Sequence, residues 1–333
     1  MSSPELAAML AAAVHARSAL FDARHELAFR LLNGFLEGWP KLAIDLYGRT
    51  IVLHNYADPP EAGTADVQAA QAWLCERLPW IDSVVVKTRH AATSEEANGV
   101  VVFGEAPARK VREHGVWYAL DILLNRDASL YLDTRHLREW AVDSLSGKSV
   151  LNTFAYTGSL GVAARAGGAT QVVHLDLNRR FLNLAKTSYT LNGFPIHKAD
   201  FQTGDFWTEI NRLKRADERF DCVFVDPPIF ATTKHGTVDL ANNSGRLINK
   251  VRPLVNDGGY IVAINNAVFV SGKAYLETLA ALCADGYLAI EALLPVPLDF
   301  TGYPETLVSQ PITDPAPFNH STKIALLRVR RKA

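Results

Sequence analysis

The second half of the chain alternates short apolar runs with amphipathic segments. The apolar runs predict strands at 150–154, 171–176, 220–225 and 260–264. Apolar residues at helical spacing predict helices at 159–166, 179–191, 240–251 and 273–284. Because strands and helices follow one another throughout this region, the sequence predicts βαβ units and a parallel sheet.

The end of the chain departs from this alternation. Two apolar runs, 287–294 and 323–330, are separated by an irregular stretch with six prolines. Two strands without a helix between them can pair in antiparallel fashion. We therefore predict an α/β fold whose parallel sheet ends in an antiparallel hairpin.

The first half has a different pattern, in which short strands are joined by turns. Residues 42–46 and 51–55 predict one hairpin, and 110–113 with 116–124 predict another. The other expected elements are a helix beginning near Asp66, a strand at 81–87 and a polar loop at 94–99. These elements predict a small α+β domain at 30–115, after a helical segment at 1–29 and before the sheet domain at 116–333.

The N-terminal apolar run, 6–14, has the composition of either a targeting segment or an ordinary helix. It is shorter than the roughly 20 residues that span a bilayer. No Lys or Arg precedes it, as a signal peptide would require. We expect an ordinary helix here, no membrane partner and a cytoplasmic protein.

Composition fits a globular chain and narrows the choice of function. Of the 333 residues, 48% are apolar and 21% charged, which excludes a wholly disordered chain. Lys+Arg 34 against Asp+Glu 35 leaves a net charge of −1, so any polyanion would need a local patch. The three cysteines are scattered and no two histidines have zinc-binding spacing, so we predict no metal site.

Glycines and acids stand at the ends of the predicted strands, where open α/β sheets bind their ligands. The first strand ends in Asn152-Thr-Phe-Ala-Tyr-Thr-Gly158, with Tyr156 where a dinucleotide motif has its first glycine. This difference argues against a cofactor with a pyrophosphate. Asp176 ends the second strand and can accept both ribose hydroxyls, although an ordinary turn residue is the alternative.

Two further acids follow in register with these. Gly204-Asp205 comes after a short strand predicted near 196–199, and its carboxylate can accept an adenine amino group or simply cap the next helix. The fourth strand ends in Asp226-Pro-Pro-Ile-Phe230. The two prolines stiffen the turn and remove two N–H donors, so free carbonyls and an aromatic ring can face a base. A plain Pro-Pro turn is the alternative.

Together these segments resemble the S-adenosylmethionine-dependent methyltransferases of large-subunit (23S) ribosomal RNA. Tyr131-Leu-Asp-Thr-Arg-His136 is similar to that family's F-L-D-Q-R segment, and Gly38-Trp-Pro-Lys-Leu-Ala-Ile-Asp-Leu-Tyr-Gly48 to the start of its central α+β domain. The resemblance covers about residues 30–330. It implies a Rossmann-like class I methyltransferase fold with a smaller α+β domain, S-adenosyl-L-methionine as cofactor and ribosomal RNA as partner.

The resemblance also implies roles for single residues. The loop after the first strand would hold the methionine end of the cofactor, Asp176 its ribose and Asp205 its adenine. The implied cofactor-binding residues are Tyr131, Asp133, Arg135, Asn152, Phe154, Tyr156, Thr157, Gly158, Asp176, Leu177, Gly204 and Asp205. The candidate catalytic residues, which would face the target base, are Asp226, Pro227, Pro228, Phe230 and Asn265.

The chain departs from the family's pattern in two ways. Many members begin with an RNA-binding PUA domain, which we do not expect here. Methylation at cytosine C5 needs a thiolate nucleophile, but the family's cysteine position after the fifth strand reads Ile264-Asn-Asn-Ala267. We expect Cys75, Cys222 and Cys283 to be buried small hydrophobic residues. Transfer to a nitrogen is therefore favoured, either guanine N7, whose family enzymes have two asparagines at this place, or an exocyclic amine.

Two other functions stay open: a methyltransferase of a small metabolite, and an RNA-binding protein on an inactive methyltransferase scaffold. A further expectation concerns the proline-rich loop 295–318, which is long enough to have a role. We expect it to fold over the carboxyl ends of the strands, with Phe318 lining the base pocket. A rigid crossover is the alternative.

Overall fold

The computed structural model describes residues 3–331 of the chain. The chain divides into two compact units. The first comprises residues up to Leu132 together with Pro297–Gln310, and the second Asp133–Val296 together with residues from Pro311 onward. The division lies later than the predicted boundary at residue 115, because the strand that begins at Val116 pairs with the strand that ends at Glu113.

The first unit is built on a five-stranded sheet. Its elements are α1 (Ser3–Ala16), β1 (Ala28–Asn33), α2 (Gly34–Glu37), β2 (Leu42–Tyr47), β3 (Thr50–Asn55), α3 (Thr64–Arg77), β4 (Ser83–Thr88), α4 (Ser94–Asn98), β5 (Val100–Phe103), β6 (Lys110–Glu113) and β7 (Val116–Ala119). The strand order is β1-β2-β3-β4-β5, and β6 and β7 form a separate hairpin. Only β3 and β4, which α3 connects, are parallel neighbours. Both predicted hairpins are confirmed.

One prediction in this unit is wrong. Residues 94–98, expected to be a polar loop, form the short helix α4. Thr93 caps it, since its side chain accepts the N–H of Glu96 at 3.2 Å and donates to the Glu96 carboxylate at 3.0 Å. A Thr followed three residues later by Glu is a helix-start signal that the polar composition of the segment concealed.

The second unit carries the alternating pattern. Its elements are α5 (Arg135–Ser144), β8 (Ser149–Thr153), α6 (Ser159–Ala166), β9 (Gln171–Asp176), α7 (Arg179–Leu191), β10 (Phe201–Thr203), α8 (Phe206–Arg215), β11 (Phe220–Val225), β12 (Phe230–Thr233), β13 (Gly236–Asp239), α9 (Leu240–Val251), β14 (Val255–Asn265), α10 (Gly272–Cys283), β15 (Leu288–Leu294) and β16 (Lys323–Val329). Between β15 and β16 the chain returns to the first unit and forms α11 (Leu298–Thr301) there.

The seven-stranded sheet has the order β10-β9-β8-β11-β14-β16-β15. The neighbouring strands β10, β9, β8, β11 and β14 are parallel. Strand β16 runs antiparallel to both β14 and β15. This confirms the predicted parallel sheet with a terminal antiparallel hairpin. The predicted strand at 196–199 is wrong, because the edge strand begins at Phe201, whose ring stacks on the buried His174 of β9.

The core of the second unit lies between the middle of this sheet and helices α8, α9 and α10. Asp221 is the polar residue that interrupts the apolar run of β11. Its carboxylate accepts the N–H and hydroxyl of Ser149 and the amide of Asn256, at 2.9–3.0 Å. Asp221 therefore ties three chain segments together at the amino ends of β8 and β11, the edge opposite to the strand ends that carry the predicted ligand residues.

Within 3–331 no helix is long and apolar enough to cross a membrane. The same residues contain no group of three or more His, Cys, Asp or Glu side chains arranged to hold a metal ion.

Candidate active site

The parallel strands of the second unit bring their carboxyl ends to one edge of the sheet. Asp176 ends β9, Gly204-Asp205 follows β10, Asp226 follows β11 and Asn265 ends β14. The loop after β8 begins between them, because β8 is the neighbour of both β9 and β11. The candidate residues of these five strands therefore share the edge at which open α/β sheets bind ligands.

The loop after β8 has an unusual backbone. Phe154 and Tyr156 have φ of 53° and 50°, and Gly158 has φ of 79°. Positive φ is uncommon for aromatic residues and is found where the surroundings enforce it, often at binding sites. Here the Phe154 ring stacks on Phe206 at 4.6 Å and the Tyr156 ring packs edge-on against Phe181 at 4.6 Å. The side chains thus hold the loop in a conformation that the sequence pattern did not reveal.

Two more predicted residues of this segment are buried. Asn152 lies on β8 with its amide 3.4 Å from His174 Nδ1, so it faces the interior of the sheet. Burial lowers the pKa of His174 to about 3, so this imidazole is neutral. Thr157 is also buried. Asn152 therefore lies inside the protein beneath the loop, and Thr157 is a buried residue of the loop itself.

Asp176 joins the β8 loop to the end of β9. Its Oδ2 accepts the N–H of Tyr156 at 2.8 Å, and its Oδ1 accepts the N–H of Asn178 at 2.8 Å. Burial nevertheless raises the pKa of Asp176, and the backbone hydrogen bonds offset this only in part. The Leu177 N–H also stabilises this carboxylate, which leaves part of its roughly four lone-pair sites for a further donor. Leu177, the next residue, is 64% exposed.

Asp205 has the capping role that was the alternative at the sequence level. Its Oδ1 accepts the N–H of Thr208 at 3.1 Å and caps α8. Its Oδ2 accepts the hydroxyl of Thr233, on β12, at 2.6 Å. Although burial opposes it, these hydrogen bonds lower the pKa of Asp205, so the carboxylate is ionised. Gly204 donates its N–H to the carbonyl of Asp176 at 3.0 Å, which places Asp205 beside the end of β9.

Asp226 lies at the end of β11 in a different electrostatic setting. Burial and, secondarily, the negative charge of Asp133 raise the pKa of Asp226 to about 7. The Thr322 hydroxyl donates to Asp133 Oδ2 at 2.7 Å and holds that second acid in place. A carboxyl with a pKa near neutrality can accept or release a proton under physiological conditions, and such groups are concentrated at functional sites.

Beyond Asp226 the chain turns outward. Pro227 is buried and Pro228 exposed, and Phe230 is 65% exposed at the start of the hairpin of β12 and β13. This hairpin had no counterpart among the sequence predictions, because its strands show no apolar alternation. It places a solvent-accessible aromatic ring four residues after Asp226.

The two asparagines after β14 have different environments. Asn265 is fully buried, and its amide donates to Leu240 O at 3.2 Å and accepts the N–H of Ala267 at 3.0 Å. The Oδ1 of Asn266 is buried and has no hydrogen-bond partner within residues 3–331. The sequence-based choice was Asn265, but Asn266 has the uncommitted acceptor.

The remaining cofactor candidates are divided between the two units. Asp133 and Arg135 begin the second unit, whereas Tyr131 belongs to the first. The Tyr131 hydroxyl donates to Asp127 at 2.8 Å within that unit.

The expectation for the proline-rich loop is wrong for Phe318. Phe318 is 6% exposed and packs in the core against Tyr275, at a ring distance of 5.7 Å. Earlier in the loop, Asp299 is buried in the first unit and accepts the N–H of Arg30 at 2.9 Å. Phe318 is thus used for packing and Asp299 for a hydrogen bond within the first unit, as the alternative of a rigid crossover predicts.

The cysteines are consistent with a structural role. Cys222 is fully buried in β11, and burial raises its pKa well above the usual range. Cys75 and Cys283 are partly buried, and burial raises the pKa of each. A raised pKa keeps a thiol protonated and weakly nucleophilic.

The site suits a nucleoside-bearing cofactor. The remaining acceptor capacity of Asp176 suits a donor hydroxyl of a ribose, and such a donor would stabilise a carboxylate that burial alone disfavours. The exposed Leu177 beside it offers an apolar surface to a base. The residues therefore fit the cofactor that the sequence resemblance implies.

Comparison with known proteins agrees with this interpretation. Residues 67–301 match the family model of S-adenosylmethionine-dependent methyltransferases. The chain is 32% identical over 72% of its length to ribosomal RNA large subunit methyltransferase K/L of Colwellia psychrerythraea, of which it covers 34%. It is 27% identical over 79% of its length to ribosomal RNA large subunit methyltransferase I of Erwinia tasmaniensis, of which it covers 67%. The chain thus spans about a third of the first relative and about two thirds of the second.

A similar solved structure is that of a methyltransferase complexed with SAH. It has a TM-score of 0.82 at 20% identity, over 99% of this chain and 82% of that one. At this identity the likeness establishes the fold, a class I methyltransferase fold as the sequence predicted.

Proposed function

Because the chain belongs to the S-adenosylmethionine-dependent methyltransferase family, we propose that it transfers a methyl group to a nitrogen of a base in large-subunit ribosomal RNA. The observation that carries this proposal is the end of β11, where a carboxyl with a pKa of about 7 adjoins a Pro-Pro turn and an exposed aromatic ring. The names of the relatives support ribosomal RNA as substrate and, with it, a cytoplasmic reaction.

The cofactor would lie along the ends of β8 and β9. When bound, S-adenosylmethionine supplies an electrophilic methyl group on a sulfonium. Asp176 would accept its ribose hydroxyls, and the loop from Phe154 to Gly158 would hold its methionine end. Asp205 would approach the adenine amino group with the lone pair that remains after its carboxylate accepts from Thr208 and Thr233. Residues Asp133 and Arg135 would close the same pocket.

The target base would lie over the end of β11. The exposed Phe230 ring can stack on a base, and the carbonyls before the two prolines have no competing N–H donor in the turn. Asp226 can accept a hydrogen bond from an exocyclic amine and take the proton that such an amine loses.

The absence of a nucleophilic thiol distinguishes a nitrogen target from cytosine C5. Addition at C6 needs a thiolate. At the end of β14, where the cytosine enzymes of the family have cysteine, this chain has asparagines. A nitrogen lone pair requires only alignment with the methyl group and a suitable field. Guanine N7 and exocyclic amines are the two nitrogen classes that these groups can serve.

The test is to incubate the full chain with tritiated S-adenosylmethionine and ribosomal RNA from a strain that lacks the gene. Mass spectrometry of the digested nucleosides should show one N-methylated base, and Asp226→Ala should abolish it while the protein still binds SAH. Label in 5-methylcytidine would overturn the nitrogen target. Transfer to small metabolites but not to RNA would overturn the substrate class.

A further inference from the structure

We infer that α8, α9 and the turn between β12 and β13 form a cationic surface that binds the phosphodiester backbone of the RNA substrate. The surface consists of Lys214 on α8, Lys234 in the turn, and Arg246 and Lys250 on α9. The inference rests on the proposed function, because it supplies the backbone contact that a base at Asp226 requires.

The three elements meet at Trp207. The guanidinium carbon of Arg246 lies 4.5 Å from the centre of the indole ring, and Lys250 Nζ lies 5.8 Å from it. The hairpin of β12 and β13 approaches the same ring. A Cβ added to Gly236, the first residue after its turn, would come within 2.5 Å of Trp207 Nε1, so the turn lies directly against the indole. The turn and α9 are therefore held at fixed positions around α8.

The charges of this surface are not neutralised within the protein. Arg212, also on α8, pairs with Glu209 at 2.7 Å, and Arg219 pairs with Asp217 at 3.0 Å. By contrast, the cations of the surface have no ion pair among the residues that the structure describes. Helix α9 contains no acid, and the hydrogen-bond partner of Lys250 is the neutral amide of Asn211, at 2.5 Å.

The surface also holds like charges close together. Burial and, secondarily, the positive charge of Lys250 lower the pKa of Lys214. Neighbouring cations without acids between them repel one another, and a bound anion with several charges relieves this repulsion. A phosphodiester chain carries a negative charge at every nucleotide. It can therefore contact several of these cations at once.

Continuity with the candidate active site favours RNA over an acidic polypeptide. The strand that begins with the exposed Phe230 leads within four residues to Lys234. Ile229 before it is 48% exposed, and Thr233 is anchored to Asp205 at 2.6 Å. One hairpin thus presents an apolar and aromatic contact for bases and a cation for phosphate. Proteins that bind single-stranded nucleic acids combine these two kinds of contact.

The test measures binding of a fluorescein-labelled single-stranded RNA of mixed sequence by anisotropy at several KCl concentrations. Lys214→Gln/Lys250→Gln removes two phosphate contacts, so the slope of log K against log [KCl] should fall by about 1.4, and affinity at about 0.1 M KCl should fall about 25-fold. Lys234→Gln, in an exposed turn, should lower the slope by about 0.7 without any effect on packing.

The matched control is Lys148→Gln/Arg330→Gln. Both residues are exposed at the amino edge of the parallel strands. Their substitution removes two positive charges, as many as Lys214→Gln/Lys250→Gln removes. A wild-type slope in the test variants would contradict the proposed surface. An equal loss of RNA affinity in the control variant would contradict it too. So would displacement of the RNA by polyglutamate as readily as by polyuridylate.

Two further readouts separate this inference from the proposed function. SAH affinity, measured by calorimetry, should be the same in all of these variants. If RNA becomes methylated but its affinity is unchanged when Lys214, Lys234 and Lys250 are replaced, the cationic surface alone is wrong. If RNA binding depends on them but no base of any ribosomal RNA gains a methyl group, the surface stands and the proposed function is wrong.

Discussion

Two fully buried carboxyl groups of the first unit and the half-buried carboxyl of Asp226 in the second have opposite kinds of charged neighbour. In the first unit Glu37 and Asp45 are buried, and each has an arginine. In the second, Asp226 has another acid, Asp133, as its charged neighbour. A buried charge is costly unless it is paired. The paired acids therefore belong to the architecture, whereas Asp226, whose charged neighbour is another acid, carries a cost that the proposed function explains.

The contacts in the first unit show how complete the pairing is. Arg17 donates to both oxygens of Glu37, at 3.0 and 2.9 Å, and both side chains are almost fully buried. Asp45 accepts from Arg30 at 2.8 Å and contacts His54 at 2.9 Å. Burial would raise the pKa of Asp45, but these partners bring it well below its usual range. Asp45 therefore stays ionised at neutral pH or below.

The largest expected effect comes from breaking a pair in the first unit. Arg17→Met leaves Glu37 buried and uncompensated, and should lower the free energy of unfolding by about 3–5 kcal/mol. Urea denaturation measures this loss. The double variant Arg17→Met/Glu37→Leu should recover most of the stability, because an apolar pair carries no desolvation cost. A double variant as unstable as the single one would contradict the role given to the pair.

The second prediction concerns the pH dependence that Asp226 imposes. Its pKa is about 7 in the folded protein against an ordinary 3.8. As pH rises between these values the unfolded chain releases the proton and the folded chain keeps it, so stability falls with rising pH. Between about pH 5 and about pH 8 the wild type should lose about 2–3 kcal/mol relative to Asp226→Asn.

Urea denaturation of both proteins at the two pH values tests this difference. Parallel pH profiles would show that Asp226 has an ordinary pKa. In that case the contrast between the two units would fail. Asp133→Asn is the sharper variant, since it removes the neighbouring charge and should return part of the shift.

These two groups of acids also show what a sequence can reveal. The order of strands and helices and the acids at strand ends follow from apolar periodicity, and both the sheet and the positions of Asp176 and Asp226 agree with it. The pairing of Glu37 with Arg17 could not be predicted, because it joins residues from different elements. Likewise, Phe318 has suitable chemistry for a binding wall, but only tertiary packing decides that its ring faces Tyr275.

The third prediction concerns Asp176, which is intermediate between the arginine-paired acids of the first unit and Asp226. Burial raises its pKa, and donors from the backbone stabilise its carboxylate only in part. Asp176→Ala should weaken SAH binding by about 1–3 kcal/mol, because ribose hydroxyls lose their acceptor. Isothermal titration measures the loss. Asp176→Asn keeps one acceptor for the N–H of Tyr156 and should lose less. Equal affinity in the wild type and both variants would remove Asp176 from the proposed cofactor site.

The smallest expected effect is at the cysteines, which are partly or fully buried like these acids but neutral. Cys222 is enclosed in β11, and burial keeps all three thiols protonated. Cys75→Ser/Cys222→Ala/Cys283→Ser should therefore transfer methyl groups at the wild-type rate, once the folded fraction is matched by circular dichroism. Trapping of a covalent complex between the wild type and RNA that contains 5-fluorocytosine would contradict this, since only a nucleophilic addition at C6 yields it. A thiol, rather than Asp226, would then be the group whose burial needs a functional explanation.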